Sequence, residues 1–239
     1  MEEIQTTQET SLSIGSKLGL IFTNPKRVFE SLKIKPDWLV PTLIIVVLSV
    51  ASAFFLKDIT LEMQKERIIA SENIPEEQKE VILQRFEDSG SMQMIMGMVG
   101  AVVFVFASFA LVAGLYLFTG NVILGGQSNF KTLLAVYAWG FMPSIPEAII
   151  KIPLMLAKNS IHVYTSLAIL FDTSESETVL FKIANAVDIF ALWRVALWAI
   201  GFSVVYKFTE GKSYAVIGAW YIIWVVVSIA LSSLFQGFM

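Results

Sequence analysis

Five long apolar stretches, separated by polar segments, dominate the pattern of hydrophobic and polar positions along this chain. The apolar stretches cover residues 38–56, 94–118, 132–157, 185–206 and 214–235. Each has about the 20 residues that a helix needs to cross the hydrocarbon core of a bilayer. In lipid, backbone polar groups must be hydrogen-bonded within the protein, which only helices and closed β-barrels achieve. The short strands of alternating apolar and polar residues that are typical of a barrel do not occur, so the stretches predict helices. We therefore expect an all-α integral membrane protein, a bundle of five transmembrane helices.

The longest polar segment, residues 57–93, lies between the first and second stretches. It predicts two short helices separated by SENIP, because Pro75 followed by two glutamates is typical of a helix start. We expect an extramembrane helical hairpin here, with Val81 and Phe86 on an apolar face. A solvated cap on the bundle is the simpler interpretation, and a docking surface for a partner is the alternative.

The N-terminal region combines a polar tail with an amphipathic segment. Residues 1–16 are expected to be disordered, and residues 17–239 to form a single membrane domain. Asn24 and Pro25 predict a helix start. The helix that follows separates an apolar side from a basic one. Two interpretations stay open: the helix packs on the bundle, or it lies at the membrane surface with four contact residues, Lys26, Arg27, Phe29 and Lys33.

Composition narrows the function classes. Hydrophobic residues make up 56% of the 239 positions and charged residues 15%, and the mean hydropathy is +0.69, whereas soluble domains carry about 25% charged residues. The net charge of −3 without a basic stripe speaks against nucleic acid as a partner.

The chain has no cysteine and one histidine, His162, which excludes disulfides, thiolate metal sites and multi-histidine zinc sites. Nucleotide-binding and hydrolase motifs do not occur. We expect no enzyme activity, no catalytic residue, no cofactor and no metal.

Four charged residues fall inside the predicted spans, and they form the candidate intramembrane polar site: Glu147, Lys151, Asp188 and Arg194. A charge in the middle of a membrane is costly and is usually paired or placed in a polar cavity. Glu147 and Lys151 are four residues apart, so they share one helix face and are expected to neutralise each other. Arg194 is expected to pair with another span, either with Glu147 or with the carbonyls of a broken helix.

Three prolines fall in the same span as Glu147 and Lys151. Pro143, Pro146 and Pro153 each remove a backbone donor, so the third span is expected to be kinked or split. A broken helix beside charged residues is typical of the substrate site of a transporter. A bent helix whose ion pair only fixes packing is the other interpretation.

The basic residues near the first span predict the orientation. Lys26, Arg27, Lys33 and Lys35 lie within about 15 residues of its start, where the positive-inside rule acts most strongly. We therefore expect the N-terminus in the cytoplasm and the C-terminus outside.

Three segments of the chain resemble the Yip family, the Ypt/Rab-interacting-protein family of five-span membrane proteins, and most closely its prokaryotic branch. They are IFTNPKRVFESLKIKPDWLVP (21–41), YAWGFMPSIP (137–146) and VDIFALWRVALWAIGFSVVY (187–206). In the last of them, Asp188, Phe190, Trp193 and Gly201 fall where the family places an aspartate-led fourth span. The resemblance implies a helical bundle with a cytosolic N-terminus. Eukaryotic relatives are linked to Rab GTPases, a role that the resemblance to the prokaryotic branch does not carry over.

The function hypothesis that follows is a non-enzymatic integral membrane protein that organises membrane or scaffolds partners, located in a prokaryotic cytoplasmic membrane. Its expected partners are the lipid bilayer and other membrane proteins or a second copy of the chain. The alternative hypothesis is a transporter or channel for a small solute, ion or lipid, with its site at the proline-broken third span.

Overall fold

Helices make up most of the described part of the protein. The computed structural model describes residues 11–71, 74–88 and 90–236, and these contain no strand, only an isolated bridge between Ser166 and Asp188. The helices are α1 (Ile14–Thr23), α2 (Pro25–Ile34), α3 (Leu39–Phe55), α4 (Lys57–Ala70), α5 (Glu76–Asp88), α6 (Gly90–Phe118), α7 (Phe130–Gly140), α8 (Ser144–Lys158), α9 (Val179–Ala186), α10 (Ile189–Tyr206) and α11 (Glu210–Gln236). A π-helical turn, Thr119–Ile123, continues α6, and two 3₁₀ turns, Leu167–Leu170 and Thr173–Glu175, precede α9. The all-α fold predicted from the hydrophobic pattern is confirmed.

Within the described residues, four helical segments are by themselves long and apolar enough to cross a membrane. They are Ile95–Ile123, Phe130–Lys158, Ile189–Tyr206 and Glu210–Ser232. The first predicted span differs, because α3 has 17 residues and is followed at Leu56 by a 62° bend into α4. Counting α3 and α4 as one broken span gives five. The bend lies where the apolar sequence ends, since Lys57 and Asp58 open the charged helix α4.

The ends of the predicted segments also shift. Helix α1 begins at Ile14, where Ser13 caps it by accepting the Ser16 N–H, so residues 14–16 are helical and not part of a disordered tail. Residues 1–10 lie outside the described part of the chain. The two helices expected between the first two spans are α4 and α5. Lys79 of α5 joins them, because its Nζ donates to the Ile69 carbonyl at 2.8 Å.

The chain divides into two compact units, and the boundaries between them fall inside or between helices. As far as the structure describes them, the first unit comprises residues 11–44, 107–143 and 194–218. The second comprises residues 45–71, 74–88, 90–106, 144–193 and 219–236. Helices α3, α6, α10 and α11 each contribute to both.

Helix α7 is the centre of the first unit, and every residue from Thr132 to Gly140 is buried. The ring of Tyr137 is surrounded by other aromatic rings from α6, α10 and the turn after α7. The centroid distances are 5.1 Å to Phe109, 5.9 Å to Tyr116 and 4.8 Å to Trp198. Such contacts add to the energy of burying the rings. The aromatic core therefore holds α6, α7 and α10 together.

The end of α7 is shaped by a hydrogen bond from a neighbouring helix. The Phe141 N–H bonds to the Ala138 carbonyl at 3.2 Å, one residue short of the α-helical partner. The carbonyl of Tyr137 instead accepts the indole N–H of Trp198 at 3.0 Å. The indole can come this close because residue 140 is glycine: a Cβ there would lie 2.1 Å from Cδ1 of Trp198. Trp198 thus satisfies a backbone group that the end of the helix releases.

The three prolines of this region have different surroundings. The third span is interrupted at residues 141–143, and Pro143 is the last residue of the interruption. Pro146 lies in the first turn of α8, where a backbone N–H has no partner within the helix. Pro153 lies inside α8, which nevertheless continues to Lys158. The interruption therefore coincides with Pro143, while the helix accommodates the other two prolines.

The amphipathic helix α2 packs against the protein with its apolar side. Val28, Phe29 and Leu32 are fully buried, and the Phe29 ring would lie 3.0 Å from a Cβ placed at Gly201. Of the two interpretations left open, the structure supports packing on the bundle. Phe29 is therefore a core residue, and its expected contact with the membrane surface is wrong. The side chain of Lys26 remains exposed.

One buried charge was not expected from the sequence. Lys17 of α1 is fully buried, and its Nζ lies 2.6 Å from Oδ2 of Asp37. The backbone carbonyl of Asp37 accepts the indole N–H of Trp139 at 2.9 Å. Asp37 thus connects α1 to α7, once through its side chain and once through its backbone.

Replacing Gly140 by alanine is expected to destabilise the protein by about 1–3 kcal/mol, because the new methyl group collides with the Trp198 indole. Thermal unfolding in detergent measures the effect. Gly114→Ala is the matched control, since a Cβ at that helical position meets no atom within 4 Å. Equal melting temperatures for the two variants would contradict the contact.

Lys17→Met is expected to destabilise the protein by about 3–5 kcal/mol, because it leaves the Asp37 carboxylate without its buried partner. Lys35→Met is the control: its Nζ is 3.8 Å from the other oxygen of Asp37, and its side chain is 66% exposed. That variant should change stability by about 0.5 kcal/mol or less. The double variant Lys17→Met/Asp37→Asn should recover part of the loss, and a double variant as unstable as Lys17→Met alone would refute the pairing.

Candidate polar site around Asp188

Three of the four charged residues predicted inside the spans meet in the second unit. Lys151 Nζ lies 2.7 Å from Oε1 of Glu147 and 3.1 Å from Oδ2 of Asp188. The exposed fractions of the side chains are 17% for Lys151, 19% for Glu147 and 11% for Asp188. We call Glu147, Lys151 and Asp188 the acid–lysine cluster. It joins α8 to the start of α10.

The local sequence explains how each member is placed. Glu147 and Lys151 are one turn apart on α8, so their side chains project from the same face. Asp188 stands just before α10, and its Oδ1 accepts the backbone N–H groups of Phe190 at 2.9 Å and Ala191 at 3.1 Å. Aspartate is favoured at such a position because the first N–H groups of a helix have no partner within it. One oxygen of Asp188 therefore caps α10, and the other is left for the cluster.

The segment that follows α8 also binds to Asp188. The Thr165 hydroxyl donates to Oδ2 of Asp188 at 2.5 Å. The Leu167 N–H donates to the Val187 carbonyl at 3.2 Å, beside the isolated bridge between Ser166 and Asp188. Side-chain and backbone bonds together hold this segment against the start of α10.

Hydrogen-bond donors and an aromatic ring also lie against the cluster. The hydroxyl of Thr165 and the two backbone N–H groups lie against Asp188 and stabilise its charge. The ammonium group of Lys151 also lies 5.8 Å from the ring centroid of Phe190. The arrangement can fix the packing of α8 against the start of α10.

The fourth predicted residue, Arg194, belongs to the first unit. Its guanidinium carbon lies 5.7 Å from the ring centroid of Phe141, within the range of a cation–π contact. The expected pairing of Arg194 with Glu147 stays a prediction. Phe141 belongs to the interruption between α7 and α8, so Arg194 packs against the residues that break the third span.

The single histidine lies outside the acid–lysine cluster. Nδ1 of His162 is 2.8 Å from the hydroxyl of Tyr164, and the imidazole is close to the surface. Among the described residues, no group of three or more histidine, aspartate or glutamate side chains is placed to hold a metal ion.

Sequence reasoning missed Thr165 and the Lys17–Asp37 pair. Thr165 lies 23 residues from Asp188, in a polar segment without helical periodicity, and nothing in its neighbourhood marks it as a partner. Lys17 resembles any basic residue of a polar N-terminal region. The one available signal was Asp37 itself, an acidic residue directly before an apolar stretch.

The helices long enough to span a bilayer and the charges paired beside them define the class of this protein, a helical membrane protein that crosses the bilayer several times. The family model described as the Yip1 domain matches residues 18–234. The chain therefore belongs to the Yip1 family, as its sequence segments indicated. No curated protein matches the chain, and no solved structure does.

Asp188→Ala is expected to destabilise the protein by about 2–3 kcal/mol, because it removes the cap of α10 and one partner of Lys151. Asp188→Asn should lose about half as much, since asparagine still caps a helix but carries no charge. Thermal unfolding in detergent gives both values. Asp172→Ala is the control, because Asp172 caps only the short 3₁₀ turn through the Ser174 N–H in an exposed loop. A ranking in which Asp188→Asn is as harmful as Asp188→Ala would show that the charge, and not the cap, dominates.

Proposed function

We propose that this protein is a non-enzymatic membrane protein that organises membrane or scaffolds partner proteins. Membership of the Yip1 family supports a role within the membrane. The observation that carries the proposal is the low burial of two complete spans. Buried residues make up 11% of the most apolar stretch of α6 and 6% of that of α11, against 56% and 44% in the third and fourth spans. Few residues of these two spans are buried by the described chain, so both have exposed apolar side chains that lipid or other proteins can contact.

Small residues on these two helices support close approach by a partner helix. At Gly97, Gly100 and Gly114 of α6, and at Gly218 of α11, no atom beyond the helix's own neighbouring residues lies within 4 Å of where a Cβ would be. Small residues spaced four apart, as in Gly97-x-x-x-Ala101, let helix backbones pack closely in membranes. No other part of the described chain packs closely against the helices at these glycines. In the proposal they contact another membrane protein or a second copy.

The charge of the first unit supports the proposed orientation. Its described residues include nine basic and three acidic side chains. Lys26, Arg27 and Lys33 are exposed on α2, and Lys26 forms an ion pair with Glu210. The hydrogen bond and the charge of Glu210 raise the pKa of Lys26. We propose that this surface faces the cytoplasm and contacts anionic headgroups, with the N-terminus inside and the C-terminus outside a prokaryotic cytoplasmic membrane.

The hairpin of α4 and α5 is the second proposed contact surface. Its described residues are rich in glutamate, and most of its side chains are exposed. Val81 of α5 is 49% exposed, which gives the charged hairpin an apolar position for a partner. Lys79 keeps the two helices together through Ile69 and Glu76.

Transport of a small solute or ion is the second candidate function. The observation that favours it is that Glu147 and Lys151 lie on α8, the helix that follows the interruption of the third span at residues 141–143. The hydrogen bonds from Thr165 and from the α10 backbone speak for a structural role, because they satisfy Asp188 within the protein.

Photo-crosslinking in native membranes tests the scaffolding proposal. A diazirine amino acid at Val103 of α6 or Val226 of α11, which are 62% and 61% exposed, should give protein adducts of discrete mass. The same substitution at Val136, which is fully buried, is the matched control and should give none. Adducts with lipid alone at both exposed positions would contradict scaffolding by these helices.

Flux measurements in liposomes separate the two candidate functions. We expect the purified protein to move protons, Na⁺ and K⁺ no faster than empty liposomes, with Glu147→Gln and Lys151→Met altering only the melting temperature. Flux by the wild type that is lost in folded Glu147→Gln, and retained in the surface variant Glu175→Gln, would establish transport and refute the proposal.

A further inference from the structure

The segment between α8 and α10 has an unusual order of apolar and polar residues for a loop. LAILF (167–171) and VLFKIA (179–184) are apolar, and the DTSESET between them (172–178) is polar. The first apolar piece contains a 3₁₀ turn, Leu167–Leu170, and the second forms most of α9. A loop that is solvated throughout would not need two apolar pieces.

The apolar pieces expose large side chains. Ile169 is 69% exposed, Leu170 77% and Leu180 61%. Val179 and Ile183 are also exposed. Single exposed apolar residues are ordinary, whereas a group of them on neighbouring elements marks an interaction surface.

The exposed side chains belong to a packed element. Phe181 of α9 is buried, and its ring centroid lies 5.2 Å from that of Tyr164 and 6.2 Å from that of Phe171. Thr165 binds Asp188, so the start of the segment is anchored at the acid–lysine cluster. The apolar surface is thus held in place by the fold.

The charges of the segment between α8 and α10 also suit the boundary of a membrane. The one basic residue of α9, Lys182, lies 3.1 Å from Oε2 of Glu177, and its side chain is 17% exposed. The acidic residues of the segment all fall in the polar turn between the apolar pieces. The apolar surface therefore carries no unpaired charge into its surroundings.

We propose that residues 167–184, which we call the interfacial segment, lie in the boundary between headgroups and acyl chains of the bilayer. Ile169, Leu170 and Leu180 contact acyl chains, and the polar turn 172–178 faces water. The occupant is lipid because exposed apolar side chains also follow in the adjoining membrane span: Val187 is 39% exposed, and Ile189 and Leu192, at the start of α10, are 63% and 46% exposed. Short amphipathic elements bind this layer with their apolar side about 5–10 Å deep.

Spin labels report the depth of each position. The chain contains no cysteine, so Leu170→Cys and Leu180→Cys each give one labelled site in protein reconstituted into phosphatidylcholine–phosphatidylglycerol nanodiscs. Ser174→Cys in the polar turn is the water-exposed control. Ile222→Cys, at an exposed position of α11, is the lipid reference. Ile169→Cys replaces either variant that fails to fold, as judged by its melting temperature.

If the interfacial segment lies in this layer, we expect labels at Leu170 and Leu180 to be accessible to oxygen. Their accessibility to a water-soluble nickel chelate should be several-fold lower than that of the label at Ser174. Nickel accessibility equal to that at Ser174 would place the segment in water and overturn the proposal. An immobilised spectrum with low accessibility to both reagents would also overturn it, because a protein surface and not lipid would then cover the segment.

Discussion

Polar groups that lie among the apolar helices of this protein must find their partners inside the chain, because hydrocarbon offers neither hydrogen bonds nor counterions. The buried ammonium group of Lys17 meets Asp37 at 2.6 Å. The carbonyl released at the end of α7 meets the indole of Trp198. Lys151 meets two carboxylates beside α10. Apart from the pair of Lys151 and Glu147 within α8, these contacts join different elements, so satisfying a polar group also determines which elements pack together.

The two units are held together by different contacts. The first unit uses aromatic side chains, and Tyr137 is packed against Phe109, Tyr116 and Trp198 around a helix buried on all sides. In the second unit the acid–lysine cluster and Thr165 tie α8 and the following segment to the start of α10. Large apolar residues there remain exposed, as they do along most of α6 and α11. Exposed apolar side chains, together with polar groups that are paired inside the chain, suit a lipid surrounding.

Predictions from the sequence succeeded where the structure depends on hydropathy, on a short segment or on the spacing of residues along one helix. Long apolar stretches indicated helices because no other backbone arrangement satisfies its polar groups in lipid, and the family followed from three short segments. The contact between Glu147 and Lys151 follows from helical spacing alone. The first span was less predictable, because an apolar stretch of nearly the right length does not reveal a 62° bend at its end. For α2, the same amphipathic pattern suits a membrane surface and a bundle, and the full burial of Phe29 distinguishes them.

The sequence by itself therefore determined the class of protein, the family and the local geometry of α8. These depend on hydropathy, on short segments and on neighbours within one helix. Only the tertiary structure decided that Lys17 is buried against Asp37, that Trp198 completes the end of α7, and that Asp188 links α10 to both Lys151 and Thr165. Each of these contacts joins residues at least 20 positions apart, and the pairing energy depends on burial, which no local pattern encodes.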